Sequence, residues 1–245
     1  FDGVADAHPD ICDYFDVMSI HPYTLAQQPW PELDLEIGPF VYPSVVGQTE
    51  LIREKMAAAG CGDKPVVWTE FGWPSLIIGK QNQARYVVRA LLLGAMDGVA
   101  GMYNYTFWDG RGATPPTEDF FGLYEYPYDY PPGEQVPKPS YTAYKTLAAL
   151  LAETRYAGDL SAKLGLPENI YSLVFLNDAG DRLVVALWDG RGFATSLQTS
   201  IPAPPNAASV NGFNQDGTTL AVELADWIPM LANSDVNYLV FDLAN

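Results

Sequence analysis

The 245-residue sequence is poor in basic side chains, with 13 Lys and Arg against 30 Asp and Glu and a formal net charge of -17. Such a charge balance repels phosphate backbones and anionic lipid headgroups, so it argues against nucleic acids and acidic membranes as partners, whereas neutral sugars stay compatible. No apolar run approaches the roughly 18 residues of a membrane span, and no stretch has the pattern of a signal peptide. We therefore expect neither a nucleic-acid partner nor a membrane partner.

Histidine and cysteine are also scarce. His8, His21, Cys12 and Cys61 are the complete set, and they form no cluster with the spacing of a zinc site. We predict no metal and no cofactor. Each cysteine precedes a predicted strand by a few residues, so a disulfide between them is geometrically allowed, but the sequence leaves open whether they pair.

What the sequence does have is three short apolar runs, each ending in polar or aromatic side chains that suit a functional site. The first run, residues 14–20, leads into His21-Pro22-Tyr23, and the second, residues 64–71, delivers Glu70 into a Gly/Pro turn. The third, residues 99–107, closes on Trp108 and Asp109. Burying a carboxylate without partners costs several kcal/mol, so Glu70 belongs either to a structural pair or to a site.

Helical patterns separate these predicted strands. Apolar residues recur at helical spacing in residues 47–60 and 79–98, and a further helix is predicted over residues 140–153. The alternation of strands and helices is typical of parallel βαβ units, in which functional groups collect at the carboxyl ends of the strands. We expect the three polar clusters to meet at that edge.

Three motifs in this order resemble the clan A retaining glycoside hydrolases, most closely glycoside hydrolase family 39 and its cellulase-like relatives. They are FDVMSIHPY at residues 15–23, KPVVWTEFGWPS at residues 64–75 and MYNYTFWD at residues 102–109. They look like strands six, seven and eight of that family's (β/α)8 barrel, and the resemblance covers roughly residues 10–154.

The resemblance implies roles for individual residues. Glu70 matches the nucleophile that forms a glycosyl-enzyme, Tyr23 or His21 would hydrogen-bond that carboxylate or a sugar hydroxyl, and Trp108 would form the floor under the sugar ring. Strand alternation predicts that Val66, Trp68 and Glu70 share one face, and that Asn104, Thr106 and Trp108 share another. The predicted substrate-contacting residues are His21, Tyr23, Trp68, Trp73, Asn104 and Trp108.

The sequence departs from the family in its second carboxylate. In the family that the motifs resemble, the acid/base normally comes from an Asn-Glu pair ending the fourth strand, and no Asn-Glu dipeptide occurs in these 245 residues. A complete barrel needs about 250 residues, whereas residues 1–154 are all that precede a predicted all-β domain. We therefore predict an α/β fold containing a partial, half (β/α) barrel with strands 5/6 to 8.

A half barrel leaves strand edges unpaired, which favours a homodimer or another chain that closes it. If residues 1–5 form a degenerate fifth strand, two copies supply eight strands. Asp109 of one chain would then face Glu70 of the other as the general acid, with Glu118 and Asp119 as reserve candidates. The alternative for Asp109-Gly110 is a plain turn.

Residues 155–245 are predicted to form a β-sandwich accessory domain behind the catalytic-type domain of residues 1–154. Strand patterns occupy residues 170–176, 182–188, 194–201, 208–213, 219–224 and 237–243. Trp188 and Trp227 are predicted to lie in its core.

Three functions stay open. The chain is a retaining hydrolase of β-linked glycosides that uses Glu70, or a non-catalytic carbohydrate-binding or scaffold protein derived from one, or a truncated fragment of one. A polysaccharide-degrading role favours a secreted or periplasmic location, although two cysteines leave the compartment open. The sugar, its linkage and the acid/base are not specified by the sequence.

Overall fold

The computed structural model describes residues 2–24, 30–33, 35–37, 40–113, 116–192 and 195–244. Its α-helices are α1 (Asp2–Ala7), α2 (Val45–Ala58), α3 (Ser75–Ile78), α4 (Lys80–Met96) and α5 (Pro139–Leu150). Its strands are β1 (Met18–Ile20), β2 (Leu35–Ile37), β3 (Phe40–Tyr42), β4 (Val66–Phe71), β5 (Gly101–Asn104), β6 (Thr154–Asp159), β7 (Ile170–Asn177), β8 (Arg182–Asp189), β9 (Leu197–Pro202), β10 (Ala207–Phe213), β11 (Thr219–Leu220), β12 (Trp227–Ala232) and β13 (Asn237–Leu243). Short 3-10 turns occupy Ile11–Asp13, Pro116–Phe120 and Pro127–Asp129.

A three-stranded parallel sheet in the order β1-β4-β5 carries the predicted strand–helix units. Helix α2 connects β1 to β4, and α3 and α4 connect β4 to β5, so the predicted parallel arrangement of these elements is confirmed. Gly94 lets α4 lie close to the sheet, because a Cβ there would meet the Met102 sulfur at 2.3 Å and the Trp68 ring at 3.0 Å. Among all the residues that the structure describes, no helix is long and apolar enough to cross a membrane.

The strand predicted at residues 1–5 is wrong. Residues from Asp2 to Ala7 form α1, and the amide of His8 continues its hydrogen bonding to the Val4 carbonyl at 2.9 Å. The segment lacks the run of β-branched and aromatic residues that favours a strand. The parallel sheet therefore has three strands in the described part of the chain. The hypothesis that two copies supply four strands each to an eight-stranded barrel no longer applies.

A β-bulge interrupts β4 beside the predicted nucleophile. Val67 pairs with Gly101 and Trp68 with Met102, but the next pair joins Phe71 to Asn104, so β4 has one residue more than its partner. Trp68 and Phe71 are both buried although they are three residues apart. The prediction that Val66, Trp68 and Glu70 share a face is therefore wrong, since a bulge breaks the period of two.

The second half of the chain forms a six-stranded antiparallel sheet, β11-β10-β13-β8-β7-β6, faced by the pair β12-β9. Ile201, Ile228 and Met230 from that pair pack with Leu187 and Leu239 from the larger sheet, as in a sandwich. The six predicted strands are present, and β6 and β12 are additional. Of the two tryptophans, Trp188 is fully buried as predicted, but Trp227 is 56% exposed, so its core placement is wrong.

The opposite face of the six-stranded sheet packs on α4. Val184, Ala186 and Tyr238 from the sheet belong to one buried cluster with Leu93 and Trp68 from the parallel-sheet half. The division into domains at residues 154 and 155 stays a prediction, but the two halves share this core.

A buried cation, Arg89 of α4, joins the two halves. Its guanidinium donates to the carbonyls of Asp189 (2.9 Å) and Ser234 (2.6 Å) and lies 3.3 Å from the carboxylate of Glu32. The Trp188 indole donates to the same Glu32 oxygen at 2.9 Å. The side chains of Arg89 and Glu32 are 2% and 0% exposed. Burial raises the pKa of Glu32, and the attraction of Arg89 opposes that rise.

We predict that Arg89→Met destabilises the protein by about 3–5 kcal/mol, because it leaves a buried carboxylate without its cation. In this variant nothing from Arg89 opposes the effect of burial, so the pKa of Glu32 rises further. Glu32 then has to be protonated in the folded state. A group with a raised folded pKa favours folding at low pH and loses that contribution as pH rises. Urea unfolding at acidic and alkaline pH should therefore show a larger loss at the alkaline end.

The matched control is the double variant Arg89→Met/Glu32→Gln, which removes the lone charge and should recover part of the stability without the added pH dependence. A single variant as stable as the wild type at both pH values would contradict the assigned role of Arg89.

Cys12 and Cys61 form a disulfide with Cα atoms 5.4 Å apart, which answers the question that the sequence left open. It links the turn before β1 to the segment before β4, so it fastens together the starts of the two strands that carry the predicted site. The sequence separation is 49 residues.

Removing this disulfide should lower the free energy of unfolding by about 4 kcal/mol, because the unfolded chain regains the entropy of an open loop of that length. The measurement is guanidinium unfolding of Cys12→Ala/Cys61→Ala beside wild-type protein. Wild-type protein in reductant is the control and should match the variant; equal midpoints for all three samples would show that the bond adds no stability.

Candidate active site

The carboxyl ends of β1 and β4 meet around Glu70. The Tyr23 hydroxyl donates to Glu70 Oε2 at 3.1 Å, and His21 Nδ1 lies 3.5 Å from the same oxygen. Burial and the neighbouring Glu70 carboxylate raise the pKa of Tyr23, so the phenol stays protonated as a donor. The Glu70 side chain is 40% exposed, which leaves it accessible to a ligand.

Glu70 opens into a cavity of about 480 Å³. Its walls are largely aromatic and apolar, the lining that sugar rings stack on, with a few polar groups that can fix orientation. The lining residues are Tyr23, Thr24, Glu70, Gly72, Trp73, Pro74, Ile77, Ile78, Tyr105, Thr117, Glu118 and Phe121.

Local packing shapes this cavity. Gly72 follows β4 where the chain after β5 approaches closely, because a Cβ there would lie 2.4 Å from the Tyr105 carbonyl oxygen. Phe121 is thereby brought against Tyr23 and Tyr105 in edge-on ring contacts, with centroids 6.1 and 5.4 Å apart. The Trp73 indole donates to Thr24 at 2.8 Å and is 2% exposed.

The structure brings together some of the residues predicted to contact substrate and separates others. Tyr23 and Trp73 line the cavity with Glu70, and His21 adjoins it. Trp68 is wrong as a sugar-contacting residue, because it is fully buried under α2 and donates to Thr49 at 2.9 Å. The bulge in β4 explains this difference, since it turns Glu70 but not Trp68 toward the open face.

Asn104 and Trp108 do not line the cavity. The Asn104 amide donates to the Thr106 carbonyl at 3.1 Å. Trp108 is 43% exposed and packs edge-on against Phe107 with ring centroids 4.7 Å apart. Their roles as sugar contacts stay predictions.

Asp109 does not occupy the position that its proposed role as acid requires. Its Oδ1 accepts from Lys138 Nζ at 2.6 Å and from the Gly122 amide at 2.8 Å, and the residue is 5% exposed. Burial raises the pKa of Asp109 and lowers the pKa of Lys138, although the ion pair opposes both shifts. A side chain enclosed in this way cannot reach Glu70 of a second chain, so the ion pair is a structural one.

Sequence reasoning missed several cavity residues, among them Thr24, Tyr105 and Thr117. Their placement depends on how the long segments after β1 and β5 fold back, and neither segment has a periodic pattern. Phe121 could be anticipated from the density of aromatic residues after β5. Of the reserve acids, Glu118 lines the cavity, whereas Asp119 accepts from the Ala113 amide at 3.0 Å.

No metal-binding group of three or more His, Cys, Asp or Glu side chains occurs in the described ranges. The site chemistry visible there consists of carboxylate, phenol, imidazole and hydroxyl groups.

Glycoside hydrolases share this fold. A family 39 glycoside hydrolase from the gut symbiont Bacteroides cellulosilyticus WH2 matches with a TM-score of 0.70 and 24% identity, over 98% of this chain and 46% of its own. An α-L-arabinofuranosidase from Thermotoga maritima matches with a TM-score of 0.66 and 10% identity, over 98% and 55%. A glucosidase from Croceicoccus marinus matches with a TM-score of 0.66 and 12% identity, over 99% and 57%.

The relationship to glycoside hydrolases that the three motifs indicate is therefore confirmed at the level of the fold. No protein-family model matches the chain, and no curated protein matches it in sequence. The chain spans about half the length of the solved structures that it matches.

We predict that Asp109→Asn lowers the free energy of unfolding by about 3–5 kcal/mol, because it leaves the buried Lys138 ammonium without a counter-charge. Thermal unfolding measures this loss. Asp119→Asn in the same loop is the control, because Asp119 accepts from the Ala113 amide and, among the described residues, has no buried cation as its partner, and it should cost less than about 1 kcal/mol. An Asp109→Asn protein of unchanged stability would argue against a structural ion pair.

Proposed function

We propose that this chain carries the nucleophile half of a retaining glycosidase site and acts on β-linked glycosides. The observation that carries the proposal is the Glu70 carboxylate at the end of β4, opening into an aromatic cavity and held by the Tyr23 hydroxyl at 3.1 Å. The fold shared with glycoside hydrolases supports it.

Glu70 attacks the anomeric carbon in this mechanism. A bond forms between a carboxylate oxygen and that carbon as the bond to the leaving oxygen breaks, and water later hydrolyses the glycosyl-enzyme. In the part of the chain that the structure describes, the contacts from Tyr23 and His21 both fall on Oε2. We therefore assign Oε1 as the attacking atom.

The proton for the leaving group needs a second carboxyl group. Glu118 is the other carboxylate among the described lining residues of the cavity, and it lies on an exposed 3-10 turn. We assign it as the acid/base in this chain, and a second chain that closes the open sheet is the alternative source. A separation of about 5–5.5 Å between the two carboxyl groups is required in the complex.

The substrate class follows from the lining. The cavity offers aromatic and aliphatic walls from the half-buried Tyr23 and Tyr105 and the exposed Ile77, which suit the CH faces of a neutral sugar. A negative net charge disfavours anionic saccharides at this surface.

Hydrolysis of 4-nitrophenyl β-D-glucoside, β-D-xyloside and β-D-galactoside tests the proposal. Glu70→Gln should reduce the rate by at least about 1,000-fold, because the nucleophile is removed. Glu118→Gln should slow an unactivated disaccharide about 100-fold while sparing the aryl glycosides, because a good leaving group needs little acid assistance. Glu54→Gln on the exposed surface of α2 is the control.

Light scattering on the same samples shows whether a second chain takes part. A dimer with activity that depends on Glu70 but not on Glu118 would assign the acid to the partner chain. Binding of sugars without any turnover by the wild type would instead support the alternative, a carbohydrate-binding protein derived from a glycosidase.

A further inference from the structure

A row of hydrogen-bonding side chains crosses the open face of the parallel sheet and ends at Glu70. Ser19 Oγ lies 2.5 Å from Thr69 Oγ1, and Thr69 Oγ1 lies 3.0 Å from His21 Nε2. The other ring nitrogen of His21, Nδ1, lies 3.5 Å from Glu70 Oε2. The bulge in β4 makes this row possible, because it exposes Thr69 on the same side as Glu70.

The charge of Glu70 gives the row a direction. A neutral imidazole has one protonated nitrogen and one acceptor nitrogen. If Nε2 carried the proton, the lone pair of Nδ1 would point at a carboxylate oxygen, which is repulsive. If Nδ1 carries the proton, it faces the carboxylate, and Nε2 accepts from the Thr69 hydroxyl. Thr69 can in turn accept from Ser19, so each hydrogen in the row points toward Glu70.

We propose that Ser19 and Thr69 are positioning residues that hold His21 in the tautomer with its proton on Nδ1, aimed at Glu70. The inference rests on the proposed function, since it assigns these two hydroxyls a part in orienting the nucleophile. Tyr23 and His21 then meet Glu70 Oε2 from the β1 side, and this arrangement directs Oε1 toward the cavity.

The row also responds to the reaction. When Glu70 becomes an ester in the glycosyl-enzyme, it loses its negative charge, and the electrostatic preference for a proton on Nδ1 weakens. Hydrolysis restores the carboxylate and the preference. Thr69, itself bonded to Ser19, keeps the ring in place through both states, because its bond is to Nε2 and not to the reacting carboxylate.

The tautomer can be read by 15N NMR of the imidazole rings on the intact protein. The chain has only two histidines, so His8→Gln assigns both sets of signals. At a pH where both rings are neutral, His21 should show a protonated Nδ1 and an acceptor-type Nε2, whereas exposed His8 should show the Nε2–H form that free imidazoles prefer. A His21 ring protonated on Nε2 would overturn the proposal.

Substitutions at Thr69 separate hydrogen bonding from packing. Thr69→Val keeps the shape of the side chain but removes the hydroxyl, and His21 should shift toward a mixture of tautomers. Thr69→Ser restores the hydroxyl and should restore the wild-type signals. Ser19→Ala should produce a smaller shift in the same direction. An unchanged His21 spectrum in Thr69→Val would overturn the proposal as well.

A kinetic measurement connects the row to Glu70. Thr69→Val should lower kcat for the best aryl glycoside by about tenfold, the scale of one lost hydrogen bond near a charge, with KM little changed and Thr69→Ser close to wild type. If Glu70→Gln abolishes turnover but Thr69→Val leaves kcat unchanged, the positioning role fails while the proposed function stands. If the expected tautomer is found in a protein without turnover, the proposed function fails and the row stands.

Discussion

The buried guanidinium of Arg89 is the interaction on which the arrangement of the two halves depends. A cation without solvent has to find its hydrogen bonds and its counter-charge within the fold, and Arg89 finds them in the Asp189 and Ser234 carbonyls and in Glu32. Asp189 ends β8 of the six-stranded sheet, Ser234 lies between β12 and β13, and Glu32 precedes β2, whereas Arg89 itself lies on α4. Helix α4 also backs β4 and β5, so its position fixes the parallel sheet relative to the antiparallel one.

The candidate site uses a different set of constraints, which act at short range. The bulge in β4 turns Thr69 and Glu70 to the open face, Gly72 allows the chain after β5 to come close, and the ion pair between Lys138 and Asp109 holds that chain in place. Lys138 also donates to Ser75 at 3.0 Å and to the Phe120 carbonyl at 3.2 Å, directly beside the cavity wall. The wall is therefore held in place by a buried charge pair behind it.

Much of the fold could be predicted from the sequence because it rests on periodic patterns. The apolar runs before His21 and around Glu70 mark β1 and β4, and helical spacing marks α2, α4 and α5 within a few residues. The predictions failed where a single residue changes the period or where the partner is distant in sequence. The bulge reversed the expected face of Trp68, and the burial of Asp109 depends on Lys138, which lies 29 residues away.

The same division applies to the site. Glu70 could be singled out as a candidate because a lone carboxylate at the end of an apolar strand belongs either to a structural pair or to a site. Phe121 and Glu118 reach the cavity through a long segment whose path is set by tertiary contacts. Away from the site, strand β12 could not be predicted because it contains Pro229, which obscures its strand pattern. Pairing of Cys12 with Cys61 likewise depends on distances that no local pattern specifies.

The core shared by α4 and the six-stranded sheet has a thermodynamic consequence. Separating the two halves would expose apolar area on both, so they are expected to unfold in one cooperative transition, not as independent modules. A substitution in the sandwich core can then reduce the population of molecules with an intact cavity without moving any atom near Glu70. The distal sheet contributes to the candidate site through the shared folding equilibrium, although none of its described residues lines the cavity.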